Sequence, residues 1–132
     1  MTNLLLDTHI MVWCMFNPEA LSRSVEREIR HSRRVFVPVP ALYEAIRALT
    51  AERVKNATSE AAEALPKLIE TSGFELLHPD ENDWIEAAGF GWPHGDPFDR
   101  LIYAMAHIRN LALVTADEKL LGLEGSAMID AR

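Results

Sequence analysis

The stretch DPFDRLIYAMAHIRNLALVTAD, residues 96–117, contains a helical pattern followed directly by a strand pattern. Asp96 is a typical N-cap and Pro97 suits the first helical position, so a helix is predicted from there to about Asn110. The apolar run Leu111–Thr115 has the length and composition of a buried strand. This order of elements is typical of the α/β class, in which helices connect parallel strands.

The rest of the chain repeats the alternation of strand-length apolar runs with helical patterns. The other predicted strands are Asn3–Leu6, Val35–Val39, Phe74–Leu77 and Ala127–Ile129. Helices are predicted at about His9–Phe16, Ala41–Val54, Ser59–Thr71 and Glu81–Ala88, and for one turn after Asp117. Pro40 precedes the second of these helices, and Pro66 is discordant within the third. Another helix is predicted around the apolar stripe Leu21, Val25 and Ile29, with Ser22 as its cap. We therefore predict an α/β fold with a mainly parallel sheet, in one domain covering residues 1–132.

Composition excludes several classes of protein. A hydrophobic fraction of 48% and a charged fraction of 25% are ordinary for a folded protein and argue against disorder. The apolar start is interrupted by Asp7 and His9 and lacks a basic region, so we expect neither a signal peptide nor a membrane span. A single cysteine, Cys14, excludes an intramolecular disulfide and a cysteine-rich zinc site, and we expect a cytoplasmic protein.

Four acidic residues lie where predicted strands end or helices begin. Asp7 follows the first strand, Glu44 lies early in the helix after the second, Asp99 lies in the first turn of its helix, and Asp117 follows the strand Leu111–Thr115. Ligands of parallel α/β sheets collect at the carboxyl ends of the strands, so these side chains are candidates to converge. Each also has a purely structural explanation, as a helix cap or as a surface residue.

Converging carboxylates tolerate one another only when some are protonated or when a cation is bound. Oxygen ligands suit Mg²⁺ or Mn²⁺, which activate water and offset charge that develops on a phosphate. The acids therefore predict metal-dependent phosphodiester hydrolysis.

Four short runs resemble the motifs of VapC-type PIN domains, the ribonuclease toxins of bacterial toxin–antitoxin pairs, and they occur in that family's order. They are Leu4-Leu5-Leu6-Asp7-Thr8-His9 with Trp13, Glu44 within Ala41–Ala45, the run from His94-Gly95-Asp96-Pro97-Phe98-Asp99 to Ile102, and Leu113-Val114-Thr115-Ala116-Asp117. One departure is the stretch Val37-Pro38-Val39-Pro40, where the family often has a small hydroxyl residue before the second acid.

The resemblance implies a PIN-like three-layer α/β/α fold with a central, mainly parallel sheet of four or five strands. It also implies an endoribonuclease that uses Mg²⁺ or Mn²⁺, cleaves RNA to arrest translation, and is held inactive by a cognate antitoxin; we further expect a homodimer. The implied catalytic residues and metal ligands are Asp7, Glu44, Asp99 and Asp117, with Asp96 and Thr115 as accessory residues.

Two other classes of protein could use such acids: an interaction module, and a different carboxylate protein such as a phosphatase or a phospho-acceptor domain. A degenerate, non-catalytic PIN-fold interaction module would not need the full set of four acids. A phosphatase with an aspartyl intermediate needs a second acid two residues after its nucleophile, and His9 occupies that place here; a phospho-acceptor domain needs an acid pair and a later lysine, and neither pattern is present.

The charge distribution suggests where RNA could bind. The net charge is −7, yet residues 1–56 contain eight Lys and Arg against six Asp and Glu. On one continuous helix, Arg23, Arg27, Arg30 and Arg34 would form a single basic stripe able to follow phosphates. The alternative is a solvated helix face with no role in binding.

Overall fold

The computed structural model describes residues 3–89, 91, 96–123 and 127–132, so His94 and Gly95 of the third motif lie outside the described residues. Five parallel strands form one sheet in the order β3-β2-β1-β4-β5. The strands are β1 (Asn3–Leu6), β2 (Arg34–Pro38), β3 (Glu75–Leu77), β4 (Ala112–Thr115) and β5 (Met128–Asp130). The predicted α/β fold with a parallel sheet is confirmed, with five strands.

The helices follow the predicted pattern with shifted ends. They are α1 (Thr8–Phe16), a 3₁₀ turn (Pro18–Ala20), α2 (Arg23–His31), α3 (Val39–Thr50), α4 (Ala61–Thr71), α5 (Glu81–Gly89), α6 (Pro97–Arg109) and α7 (Glu118–Leu121). Helix α3 begins at Val39, two residues earlier than predicted, because proline at position 40 is tolerated in the first turn. Helix α4 contains Pro66 without being split.

Side chains alternate between the two faces of the sheet, as they must along extended strands. Leu4 and Leu6 of β1 pack on one face with residues of α1, α2, α3 and α4. Leu5 of β1 and Leu113 of β4 pack on the other face with α5, α6 and α7, including the buried run Leu101–Ala106. Both faces of the sheet are therefore covered, which gives three layers.

The prediction that Arg34 continues the basic stripe of α2 is wrong. Helix α2 ends at His31, because Ser32 is extended and its hydroxyl bonds the carbonyl oxygen of Ile29 at 2.8 Å. Arg34 is instead the first residue of β2, where its guanidinium binds both carboxylate oxygens of Glu75 on β3 at 2.6 and 2.8 Å. Arg30 is also paired, with Glu26 one turn earlier on the helix.

Within the described residues, no helix has both the length and the apolar character needed to cross a bilayer.

A buried ion pair joins α5 to α6. The carboxylate of Asp83 is fully buried, and its two oxygens accept hydrogen bonds from Nη1 and Nη2 of Arg109 at 2.6 and 2.7 Å. The backbone N–H of Asp80 donates to the same carboxylate at 2.8 Å. Every oxygen of Asp83 is thus satisfied, as a buried charge requires.

We expect Asp83→Ala to lower the free energy of unfolding by about 3 kcal/mol, because it leaves the Arg109 guanidinium without its buried partner. The exposed pair Arg34–Glu75 provides the control: Glu75→Ala should cost less than about 1 kcal/mol, because water screens it. Urea unfolding followed by circular dichroism measures both. Equal losses in the two variants would contradict a structural role for the buried pair.

Candidate active site

A cavity of about 770 Å³ is lined by all four predicted acids. Parallel pairing places Leu6 of β1 beside Val114 of β4, so the residues that follow these two strands emerge side by side. Asp96 also lines the cavity, which therefore collects five carboxylates: Asp7, Glu44, Asp96, Asp99 and Asp117.

Asp7 is nearly buried and is held by two donors. One oxygen accepts the backbone N–H of Ile10 at 3.2 Å, which makes Asp7 the N-cap of α1. The other accepts the hydroxyl of Thr115, which is itself fully buried. The Thr115 oxygen in turn accepts the backbone N–H of Asp117 at 3.0 Å. Burial nevertheless raises the pKa of Asp7, since it outweighs the hydrogen bonds that favour the charged form.

Glu44 is half-buried on α3, and its Oε1 accepts the hydroxyl of Thr8 at 2.7 Å. Burial is the main reason that the pKa of Glu44 is raised, and the charges of Asp96 and Asp7 act in the same direction. Because Thr8 begins α1, this hydrogen bond joins the first turn of α1 to the middle of α3.

Asp99 has the most perturbed carboxyl group at the site. Its pKa is raised to about 7, first by burial and then by the charges of Asp96, Asp117, Glu44 and Asp7. The other four carboxylates therefore all act on this one group, which means that they converge on it electrostatically.

The remaining two acids cap helices. Oδ1 of Asp96 accepts the backbone N–H groups of Phe98 and Asp99 at 2.9 and 3.2 Å. Oδ1 of Asp117 accepts the backbone N–H of Lys119 at 2.9 Å, at the start of α7. These acids therefore cap helices, as the structural explanation expected, and they also line the shared cavity.

The donor set fits a hard divalent cation. The lining acids supply only oxygen ligands, which suit Mg²⁺ or Mn²⁺ and not a soft metal. Within the part of the chain that the structure describes, no three carboxylate, imidazole or thiol groups already surround one point closely enough to hold an ion. The fit thus rests on donor chemistry and on the burial and carboxylate repulsion that together raise the pKa of Asp99.

The sequence did not predict the two basic residues that line the cavity. Arg53 and Lys55 follow α3 and line the same cavity as the acids, together with Val54 between them. The predicted helix Ala41–Val54 covered most of this segment, so no signal separated these cations from other surface residues. The predicted basic residues of α2, Arg23, Arg27 and Arg30, are not among the described residues that line the cavity.

Comparisons with known proteins agree on one family. The model of the PIN domain family matches residues 4–124. Ribonuclease VapC22 of Mycobacterium tuberculosis is 31% identical over 122 residues, 91% of each chain. A chain of DNA-bound VapBC from Salmonella typhimurium has a TM-score of 0.72 at 23% identity and covers 100% of both chains. A chain of VapBC-1 from nontypeable Haemophilus influenzae has a TM-score of 0.71 at 17% identity and covers 98% of each.

The raised pKa of Asp99 predicts how the metal-free protein responds to pH. Between the ordinary value of 3.8 and about 7, the folded protein keeps a proton that the unfolded chain has released, so stability falls as the pH rises. Asp99→Asn removes the negative charge that burial and the neighbouring carboxylates disfavour. In EDTA, its melting temperature should match that of the wild type near pH 4 and exceed it above pH 7.

Asp130→Asn is the control, because Arg132 lowers the pKa of Asp130 and the substitution should give no gain at high pH. A lower melting temperature of the Asp99→Asn variant above pH 7 would show that Asp99 stabilises the first turn of α6 more than its neighbours repel it.

Proposed function

Because this chain belongs to the PIN domain family, we propose that it is a metal-dependent endoribonuclease, a VapC-type toxin that cleaves RNA and is held inactive by a cognate antitoxin. The observation that carries the proposal is the single cavity shared by five carboxylates, one of which has a pKa of about 7. A degenerate interaction module would have no need for this costly convergence.

Asp7, Glu44, Asp99 and Asp117 would hold one or two Mg²⁺ or Mn²⁺ ions. When bound, the ion activates a water and offsets the charge that develops on the scissile phosphate. The protein's part is to keep the ligands oriented. Thr115 holds the Asp7 carboxylate and the backbone of Asp117 with one hydroxyl, and Thr8 holds Glu44.

Two of these four acids have one carboxylate oxygen that accepts a hydrogen bond from the described residues and one that does not. Glu44 accepts the Thr8 hydroxyl on Oε1, and Asp117 accepts a backbone N–H on Oδ1. The second oxygen of each accepts no hydrogen bond from the described residues, so it is free for a cation or for the proton of the attacking water. Glu44 and Asp117 are therefore candidates for the general base.

Cleavage of single-stranded RNA should require Mg²⁺ or Mn²⁺ and should be abolished by EDTA. The Asp7→Asn, Glu44→Gln, Asp99→Asn and Asp117→Asn variants should each lose at least about 100-fold in rate, because each removes an interaction that stabilises charge in the transition state. The exposed Glu63→Gln on α4 removes the same charge elsewhere and serves as the control. Full activity of metal-free protein in EDTA would refute the mechanism.

The antitoxin should anchor in the same cavity. An arginine or lysine of the antitoxin would satisfy the unpaired carboxylates, and apolar residues of the antitoxin would pack on Trp13. Trp13 lines the cavity beside His9, and the centroids of the two rings are 6.4 Å apart in an edge-to-face arrangement. One of the solved neighbours, with a TM-score of 0.68, is a toxin–antitoxin complex from Klebsiella pneumoniae. The homodimer stays a prediction.

Co-expression with the product of the adjacent reading frame, followed by affinity pull-down, tests this. Wild-type protein should retain the partner, and Trp13→Ala should weaken the complex at least about 10-fold. Trp84→Ala on α5 is the matched control, because Trp84 is half-exposed and is not among the residues that line the cavity. A chain that is non-toxic alone and binds no such product would contradict the proposal.

A further inference from the structure

Two basic side chains share the cavity with the acids. Arg53 and Lys55 are the only Lys or Arg among the described residues that line it. Both are exposed, and neither forms a salt bridge with any residue in the described ranges. By contrast, Arg30, Arg34 and Arg109 are each paired with a carboxylate. We call the segment Arg53–Lys55 the cationic segment.

The backbone before the cationic segment is fixed by the way α3 ends. The N–H of Arg53 donates to the carbonyl of Ala48 at 2.9 Å, and the N–H of Glu52 donates to that of Leu49 at 3.0 Å. Glu52 is left-handed, with φ of +57°. This is a Schellman ending, which turns the chain sharply away from the helix axis.

The far end of the segment is tied to a different helix. Asn56 is also left-handed, with φ of +67°, and its Nδ2 donates to the carbonyl oxygen of Phe16, the last residue of α1, at 3.3 Å. Val54 and Ala57 pack against the core. The segment is therefore held at both ends, so the positions of its two cations are set by the fold.

Helix α3 connects one of the acids, Glu44, to the cationic segment, and both line the cavity. Glu44 and Ala48 are one turn apart and both line the cavity, and the cationic segment follows the end of the same helix. The rise from Glu44 to Thr50 is about 9 Å. An RNA strand that contacts both Glu44 and the cationic segment would place one phosphate at the acids and another at the cations.

We propose that Arg53 and Lys55 hold a non-scissile phosphate of the single-stranded RNA substrate and so position the strand along α3 toward the acids. The inference rests on the proposed function and adds the residues that bind the substrate. Without metal the carboxylates repel a polyanion, and a bound ion would offset that charge only at the scissile phosphate. Arg53 and Lys55 form no salt bridge with the described residues and line the same cavity, so they can attract a neighbouring phosphate.

Binding of a fluorescein-labelled single-stranded RNA, measured by anisotropy in EDTA over a range of KCl concentrations, tests the proposal. Arg53→Gln combined with Lys55→Gln should weaken binding about 10-fold at low salt. It should reduce the slope of log K against log salt by about 0.7, because the single phosphate that the two cations hold is no longer neutralised. In Mg²⁺, KM for cleavage should rise about 10-fold while kcat stays within about 2-fold.

Arg33→Gln combined with Lys67→Gln is the matched control, because it removes one arginine and one lysine from exposed positions that are not among the described lining residues. It should leave both the salt slope and KM unchanged. The exchange of Arg53→Lys with Lys55→Arg keeps both charges and should keep the wild-type slope, which separates weaker phosphate binding from damage to the fold.

An unchanged slope and KM in the Arg53→Gln, Lys55→Gln variant of an enzyme that still cleaves RNA would overturn this proposal alone. Equal weakening by the control pair would overturn it too, because the effect would then be one of net charge. The proposal would also be overturned if Arg23→Gln combined with Arg27→Gln weakened RNA binding while the Arg53→Gln, Lys55→Gln variant did not. The RNA would then bind to α2. Wild-type protein that neither binds nor cleaves RNA would instead refute the proposed function, and this inference with it.

Discussion

Mutual repulsion of carboxylates at one edge of the sheet is the constraint around which the site is built. Three of the five acids reduce it by capping helices: Asp7 for α1, Asp96 for α6 and Asp117 for α7. A helix N-terminus offers free N–H groups and a partial positive charge, so an acid placed there is stabilised as the anion. Asp99 accepts no hydrogen bond from the described residues, and its pKa is the one that rises to about 7. The cost of convergence therefore falls on the acid with the least support.

The order of the strands explains how residues so distant in sequence meet. Strands β2 and β3 lie on one side of β1, while β4 and β5 lie on the other. Chain order thus reverses between β1 and β4, and the carboxyl edge at such a switch point is where parallel α/β sheets bind ligands. Asp7 and Asp117 follow these two strands, and the hydrogen bonds through Thr115 join them. Local sequence puts each acid at a strand end, but only the topology makes the ends neighbours.

Features encoded by caps and periodicity were predictable from the sequence, and features set by distant contacts were not. Helix α6 and strand β4 lie within one residue of their predicted bounds, because Asp96 and Pro97 mark the helix start and Asn110 provides its left-handed end. Helix α3 ends four residues early, before Glu52, a residue type that carries no signal for the left-handed conformation that glycine or asparagine usually adopts. The acids were found because they lie at strand and helix ends. The cationic segment was not, since its position depends on contacts with α1.

The position of Arg53 and Lys55 also explains how two cations remain exposed without a carboxylate partner among the described residues. They follow the carboxyl end of α3, where the aligned peptide dipoles of the helix give a partial negative charge that favours a nearby cation. This charge is diffuse and screened by water, so it stabilises the cations without occupying their N–H donors, as a salt bridge would. Elsewhere in the same cavity, helix N-termini stabilise three of the acids, Asp7, Asp96 and Asp117, in the corresponding way. Opposite helix ends thus stabilise both signs of charge in one cavity. The rigid helix α3 also keeps Glu44 apart from the cations that follow its end, so they do not form ion pairs.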